Sequence, residues 1–344
     1  MARIRKPSSP PPVSPNPPPR PPTARPVIVC APDSFKGSLS SPDAAAAMGR
    51  GIETAGAESR LLPLADGGEG TVEAIVTAAG GLFLETSVTG PLGELRRARW
   101  GLIDDGATAV IEMAAAAGLP LVPHALRNPL HTTTHGVGQL IAAALDRSGV
   151  RRILIGVGGS ATCDGGIGMA AALGARFEFE PDERIPLSGA AQVAAVNEVN
   201  PVNAVNPPFL TGGDLNRLVS IDLSGMDPRL RAREIEVLCD VTNPLLGPQG
   251  AAAVFGPQKA ASSADVARLE EGLARLADLW RGAGFAGLAG PAARANLANL
   301  AQTPGAGASG GLAAGLVAFC GARIVPGIER ILDAVGFDRA LAGA

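Results

Sequence analysis

Two of the chain's few lysines stand beside glycine-rich turns. Among 29 basic residues the chain has three lysines, at Lys6, Lys36 and Lys259. Lys36 lies in a loop that also carries Asp33 and Ser34 and that follows a short apolar run. An ammonium group on a flexible stem, next to hydroxyls and free backbone amides, is suited to bind a phosphate or a carboxylate. The alternative is a surface turn in which Ser38 or Ser40 caps the next helix.

A second loop places two acids, Asp66 and Glu69, on either side of paired glycines. A carboxylate in such a loop can act as general base toward a hydroxyl or help to hold Mg²⁺. Glu69 has a structural alternative, because an acid near a helix N-terminus interacts favourably with the helix dipole. We predict a functional role for Asp66, whereas both roles stay open for Glu69.

The third loop, residues 156–168, contains six glycines among 13 residues. Glycine lets backbone amides approach an anion closely, and Ser160 and Thr162 add hydroxyl donors. The loop also contains Cys163 and Asp164, and it lacks the GK[ST] ending of a Walker A loop. It predicts anion binding, with a tight strand-to-helix turn as the alternative.

Two further loops are less specific. Asp240 ends a predicted buried strand, where a lone carboxylate is costly unless it is paired or bound to metal. Lys259 is therefore expected either to pair with Asp240 or to clamp a phosphate. The fifth loop, residues 304–311, is glycine-rich and precedes a helix, which fits helix packing or a hinge as well as anion binding.

The histidines and cysteines show no metal pattern. His131 and His135 are spaced as half of a metal site, but no carboxylate ligand lies near them in sequence, so we predict the start of a helix. The four cysteines are far apart and lack CxxC spacing, which indicates reduced core thiols and a cytoplasmic protein.

The elements that must position these loops alternate along the chain. The apolar patterns predict strands at 26–30, 61–65, 152–157 and 235–240, and helices at 44–55, 69–79, 167–173, 264–281 and 311–319. Such alternation is typical of an α/β fold with a largely parallel sheet, in which ligands bind at the carboxyl ends of the strands.

Composition narrows the classes of function. The 344 residues are 46% hydrophobic and 18% charged, and no stretch approaches the roughly 20 apolar residues of a membrane span. Residues 1–26 carry 11 of the 30 prolines and five basic residues, which predicts a disordered tail. The remaining residues have a net charge of −8, which argues against nucleic-acid binding. Several anion-receptive loops with unpaired acids predict phosphoryl transfer to a small acidic substrate.

The same loops, in order, resemble the motifs of the bacterial glycerate kinase family. The matching segments are APDSFKGSLS (31–40), ADGGEGTVEA (65–74), GGSATCDGG (158–166), CDVTNP (239–244), FGPQK (255–259) and PGAGASGG (304–311), with TGPLG (89–93) and IEMAA (111–115). The resemblance implies transfer of a phosphoryl group from ATP to glycerate with Mg²⁺. It also implies an α/β fold with a discontinuous Rossmann-like domain, a second α/β domain inserted in it, and an active site in the cleft between them.

On this chain the implied division is a tail at 1–26, a first Rossmann-like part at 27–86, an inserted domain at 87–294 and an incomplete continuation at 295–344. The residues that match the family motifs are assigned by hypothesis. They are the catalytic Lys36, Asp66 and Asp164, the substrate-binding Asp33, Ser34, Glu69, Ser160 and Thr162, the nucleotide-binding Thr242, Asn243 and Lys259, and Asp240 near Mg²⁺.

Three departures from the family pattern leave alternatives open. Ala260 stands where the family has glycine, a stretch rich in Val and Asn at 193–208 reads as a surface insertion, and the end near Ala344 predicts a C-terminal truncation. The chain could therefore be a remnant that binds ligand without turnover, or a kinase of another small hydroxy acid. Either hydroxyl of glycerate, at position 2 or 3, fits the motifs.

Overall fold

The structure is a computed structural model that describes residues 25–35, 38–65, 67–180, 209–282 and 297–342. Most of the predicted tail, Lys36, Asp66 and the Val/Asn-rich stretch lie outside the described residues. The strands are β1 Val27–Cys30, β2 Glu58–Leu61, β3 Leu82–Thr89, β4 Leu95–Ile103, β5 Thr108–Glu112, β6 Arg152–Gly156, β7 Arg176–Phe179, β8 Leu218–Asp222, β9 Glu234–Leu238 and β10 Arg323–Val325.

The described helices range from four to 19 residues in length. They are α1 Ser41–Thr54, α2 Thr71–Ala78, α3 Ala114–Ala117, α4 His135–Leu145, α5 Ile167–Ala172, α6 Ala251–Phe255, α7 Ser263–Arg281, α8 Leu312–Cys320, α9 Gly327–Val335 and α10 Phe337–Ala342, with short 3₁₀ turns such as Pro257–Lys259. The side chain of Ser40 caps α1, and a reciprocal pair, Ser262 and Asp265, caps α7.

A six-stranded sheet in the order β10-β9-β6-β5-β4-β3 organises the described part of the chain. Its strands β5, β6, β9 and β10 run parallel, whereas β3 and β4 pair antiparallel with each other and β4 pairs antiparallel with β5. The sheet is therefore mixed rather than largely parallel. Two small two-stranded sheets, β1-β2 and β7-β8, are not hydrogen-bonded to it among the described residues.

Both faces of the central strands are buried, which explains their continuous apolar sequences. In β6, Ile153 and Ile155 pack into the larger core, while Leu154 between them packs into a smaller core with Ile75 of α2 and Ile331 of α9. Helices thus cover the sheet on both sides. This arrangement leaves the carboxyl ends of the parallel strands as the place where the glycine-rich loops meet.

The structure corrects two predicted strands and adds six that were not predicted, β3, β4, β5, β7, β8 and β10. The strand expected at 61–65 is β2, which ends at Leu61, because Leu62 and the residues after it leave the strand and Leu62 packs into the smaller core. The strand expected at 235–240 ends at Leu238, so Asp240 lies outside it. Strands β3 and β4 were not predicted, because arginines, acids and threonines break their apolar pattern.

The α/β class is confirmed, and the predicted division into domains remains a prediction. Strand β3 spans the predicted boundary at 86/87, and β10, after the boundary at 294/295, pairs with β9. Within the described ranges no helix is both long and apolar enough to cross a membrane.

Candidate active site

The second and third loops touch through their backbones at the carboxyl ends of the strands. The amide of Gly158 donates to the carbonyl of Gly67 over 3.0 Å. A side chain on Gly156 would place its Cβ 2.6 Å from the Gly67 oxygen, and a Cβ on Gly158 would overlap the Cα of Gly68. Glycine is therefore required at these positions by close approach of two backbones.

The fifth loop packs against the third and fourth loops. The amide of Gly165 donates to the carbonyl of Gly310 over 3.1 Å, and the hydroxyl of Ser309 donates to the carbonyl of Val157. The amide of Gly307 donates to the Asn243 carbonyl over 3.0 Å. The packing role that the sequence left open for residues 304–311 is thus present, and these contacts join the loops into one cluster.

Lys259 lies under the third loop with only 1% of its surface exposed. Its ammonium donates to Ser160 Oγ over 2.8 Å and to the Thr162 carbonyl over 2.5 Å. Burial lowers the pKa of Lys259, partly offset by the neighbouring Cys163 and Asp164. Of the two alternatives for Lys259, the pairing with Asp240 is not present, because the short 3₁₀ turn Pro257–Lys259 directs the side chain into the third loop.

Asp164 is completely buried and holds two helix starts together. Its carboxylate accepts from the Thr134 amide at 2.9 Å, the Thr134 hydroxyl at 2.8 Å and the Gly166 amide at 3.0 Å. Burial raises the pKa of Asp164, while these hydrogen bonds lower it. A carboxylate enclosed in this way positions the third loop from below, and its geometry favours that role over the one of general base.

Ser160 and Thr162 are both buried at the turn of the third loop. The Ser160 oxygen accepts from Lys259, and because an ammonium only donates, the Ser160 hydroxyl proton is left to point elsewhere. Thr162 Oγ1 has no hydrogen-bond partner among the described residues although it is buried. Both hydroxyls therefore keep a free donor at the loop.

Asp240, Thr242 and Asn243 follow β9 on the fourth loop. Asp240 is exposed, and its two carboxylate oxygens accept from one backbone group, the Ile328 amide at the start of α9, over 3.2 and 3.1 Å. Thr242 is exposed, and the Asn243 side chain donates to the Gln249 carbonyl over 2.8 Å. The carboxylate was expected to be buried, but it lies at the surface because β9 ends before it.

The described residues of the first and second loops are more open. Asp33 is exposed and accepts from the Ser34 amide over 2.6 Å. Glu69 is exposed, just ahead of α2. A backbone hydrogen bond joins the first loop to the residues just before the second loop, because the Leu64 amide donates to the Pro32 carbonyl over 2.9 Å.

Sequence reasoning overlooked Glu112, at the end of β5. Burial raises its pKa to about 7. Its Oε2 accepts from the amides of Gly70 and Val72, at the amino end of α2. Its place in the IEMAA segment, at the end of an apolar run, is the signal that could have revealed it.

The surroundings of His135 and Cys163 indicate structural roles. His135 begins α4, as predicted, and its ring lies 4.8 Å from that of Phe209. Cys163 is buried and burial raises its pKa to about 11, which makes it an unreactive thiol at neutral pH.

The surface position of Asp240 fits a ligand of hydrated Mg²⁺. Its carboxylate makes hydrogen bonds to a single amide and keeps free lone pairs. Across the described ranges no group of three or more His, Cys, Asp or Glu side chains could hold a metal ion. A single carboxylate suits Mg²⁺ that is bound largely by water and nucleotide phosphates, as in many kinase sites.

Fold and site together define an α/β protein in which glycine-rich loops at strand ends form one polar cluster. The model of the glycerate kinase family matches residues 28–344. The chain belongs to the glycerate kinase family.

Individual members of the family are similar in sequence to this chain over most of its length. A glycerate kinase of Bacillus subtilis is 47% identical over 313 residues, which cover 90% of this chain and 72% of the relative. A glycerate 2-kinase of Escherichia coli is 44% identical over 313 residues, covering 90% and 73%. A crystal structure described as glycerate kinase 2 from Salmonella typhimurium LT2 superposes with a TM-score of 0.72 at 45% identity, covering 93% of this chain and 77% of that one.

Proposed function

We propose that the chain transfers the γ-phosphoryl group of ATP to a hydroxyl of D-glycerate, giving phosphoglycerate and ADP. The observation that carries the proposal is the buried ammonium of Lys259 beneath the glycine-rich loop of Ser160 and Thr162. Buried positive charge beside hydroxyl donors is the environment that stabilises phosphoryl oxygens during transfer. Family membership supplies the particular substrates.

The third loop orients donors toward the reacting groups. Because Lys259 donates to the Ser160 oxygen, the Ser160 hydroxyl is set to donate to a ligand oxygen. Thr162 offers a second hydroxyl with no partner among the described residues. We assign both to the glycerate carboxylate, and Asp164 to holding this loop in place.

The remaining roles follow the family motifs. Asp66 takes the proton of the substrate hydroxyl. The hydroxyl oxygen forms the new bond to the γ-phosphorus, and the bond from that phosphorus to the ADP oxygen breaks.

The other residues bind the substrates. Lys36 binds the glycerate carboxylate or the transferred phosphoryl group, with Asp33, Ser34 and Glu69 around the substrate. The nucleotide residues are Lys259, Thr242 and Asn243. Asp240 would hold Mg²⁺, whose charge neutralises phosphate oxygens.

The finer architecture is also a proposal. We infer a discontinuous Rossmann-like domain interrupted by a second α/β domain, with substrates in the cleft between them. The separate β1-β2 pair supports a distinct first part. Four free, buried cysteines support a reducing compartment such as the cytoplasm. The acidic composition supports small-molecule ligands rather than nucleic acid.

The test is ADP formation by the full chain with D-glycerate, ATP and Mg²⁺. We expect turnover, and we expect Lys36→Ala and Lys259→Ala each to lower kcat/KM by about tenfold or more, as loss of a charge-assisted hydrogen bond does. Lys6→Ala is the matched control, because Lys6 is the one lysine outside the glycine-rich loops.

The outcomes separate the alternatives. Glycerate binding without turnover would contradict the proposal and favour a remnant that only binds, whereas faster turnover of another small hydroxy acid would reassign the substrate. If both lysine variants stayed within a few fold of the parent, the assigned roles would be wrong. Phosphorus NMR of the product identifies the hydroxyl; similarity to the E. coli glycerate 2-kinase favours position 2.

A further inference from the structure

Glu112, the last residue of strand β5, caps the amino end of helix α2. The residue at the N-cap of α2 is Gly70, with a φ of 94° and no side chain to accept the free amides of the first turn. The Gly70 and Val72 amides instead donate to Glu112 Oε2, over 3.0 and 3.4 Å. The cap that Ser, Thr or Asp usually supplies locally thus comes from β5, some 40 residues along the chain.

The position of Glu112 is fixed by its surroundings. It is the last residue of β5, whose five residues are all buried, and it pairs in register with Gly156 of β6. Gly156 in turn lies against the carbonyl of Gly67. The second loop is therefore held on one side by Glu112 and on the other by the third loop, through the Gly158 amide.

A carboxyl at this position is costly in the folded state. Burial is the main reason that the pKa of Glu112 is raised, and the negative charge of Glu69 on the second loop adds to it. Its hydrogen-bond donors among the described residues are backbone amides rather than cations, and Gly156 beside it brings no charge. Buried carboxyls with raised pKa values are concentrated at functional sites.

We propose that Glu112 is a positioning residue of the phosphotransfer site, whose carboxyl oxygen fixes residues 67–70 against the third loop and so sets the place of Glu69. The effect on substrates rests on the proposed function, whereas the contact itself does not. Glu112 acts through the loop and makes no contact with the reacting groups in this scheme.

The experiment compares Glu112→Ala, which removes the acceptor, with Glu112→Gln, which keeps a carbonyl oxygen in its place. Asp227→Ala is the matched control. Asp227 also accepts a helix-start amide, that of Arg229, but its 3₁₀ turn, Pro228–Ala232, precedes β9 and lies at the amino ends of the parallel strands, whereas Glu112 lies at the carboxyl end of β5. Each variant is measured for amide hydrogen exchange at residues 70 and 72, for kcat and KM with D-glycerate, and for glycerate affinity by calorimetry.

We expect Glu112→Ala to accelerate exchange at both amides and to lower kcat/KM by about tenfold, the scale of a lost buried hydrogen bond. Glu112→Gln and Asp227→Ala should stay within about threefold of the parent. Unchanged exchange in Glu112→Ala would overturn the contact. Accelerated exchange with kcat/KM within threefold would overturn the positioning role. If the parent shows no turnover, the proposed function fails, and glycerate affinity then decides the role of Glu112 by the same criteria.

Discussion

At the scale of single residues, Glu112 should make stability depend on pH. The folded state raises its pKa from 4.5 to about 7, so between these values the folded chain binds more protons than the unfolded chain. Stability therefore falls as pH rises through this window. The difference corresponds to a cost on the order of 3 kcal/mol above neutral pH.

Glu112→Gln isolates this contribution, because glutamine resembles the protonated acid and does not titrate. We expect the parent to lose more free energy of unfolding than the variant between pH 5 and pH 8, as measured by urea denaturation at both values. Other titrating groups, Asp164 among them, are common to both proteins and cancel in the comparison. Parallel pH dependence of the two proteins would contradict a raised pKa for Glu112.

At the scale of elements, the contact between the second and third loops should tolerate no side chain. A Cβ at position 158 would overlap the Cα of Gly68, so Gly158→Ala forces two backbones apart. We expect a loss of about 1–3 kcal/mol in stability, as for overpacked sites, and a fall in kcat/KM of about tenfold or more. Urea denaturation and steady-state kinetics measure the two effects.

Gly51→Ala is the control for that substitution. Gly51 lies within α1, and a Cβ there meets nothing within 4 Å. Alanine should stabilise the chain by about 0.5–1 kcal/mol through its higher helix propensity, with kinetics unchanged. Equal effects of the two substitutions would show that close approach at Gly158 is not what requires glycine.

At the scale of the whole molecule, arginines of β10 and α9 form ion pairs with a buried carboxylate of β9. Glu236 of β9 has no exposed surface, and its Oε1 accepts from Arg330 of α9 over 2.6 Å and from Arg323 of β10 over 3.2 Å. Removal of one partner from a buried pair typically costs about 3–5 kcal/mol, because the other charge stays buried. We expect Arg330→Ala to approach the lower end of this range in urea denaturation, since Arg323 remains.

The exposed pair between Arg97 and Glu85 provides the comparison. Their side chains are 72% and 50% exposed, and the pair joins β4 to β3 at 2.7 Å. Exposed pairs contribute about 0–1 kcal/mol. Arg97→Ala should therefore change stability far less than Arg330→Ala. Similar losses from both would mean that Glu236 is better solvated than its burial indicates.

Sequence patterns were sufficient where a local signal decides the structure. The helix at 264–281 was predicted within one residue of α7 from its amphipathic pattern, and the structure shows a Ser-Asp capping box at its start. The strand at 152–157 matches β6, whose apolar run is buried on both faces. Strands β3 and β4 escaped prediction, because their stability comes from pairing between strands rather than from a local apolar pattern.

The candidate site likewise divides into features that the local sequence predicts and contacts that only the tertiary structure determines. Residue types alone identified the two lysines and the glycine-rich loops, because charge and backbone freedom are properties of a residue and its neighbours. The partners of Lys259 and Asp240 depended on where the strand and the short turn end, so the sequence left open whether these two side chains pair with each other. The capping of α2 by Glu112 joins residues 40 positions apart. Such a long-range contact follows from the order of strands in the sheet, so only the tertiary structure determines it.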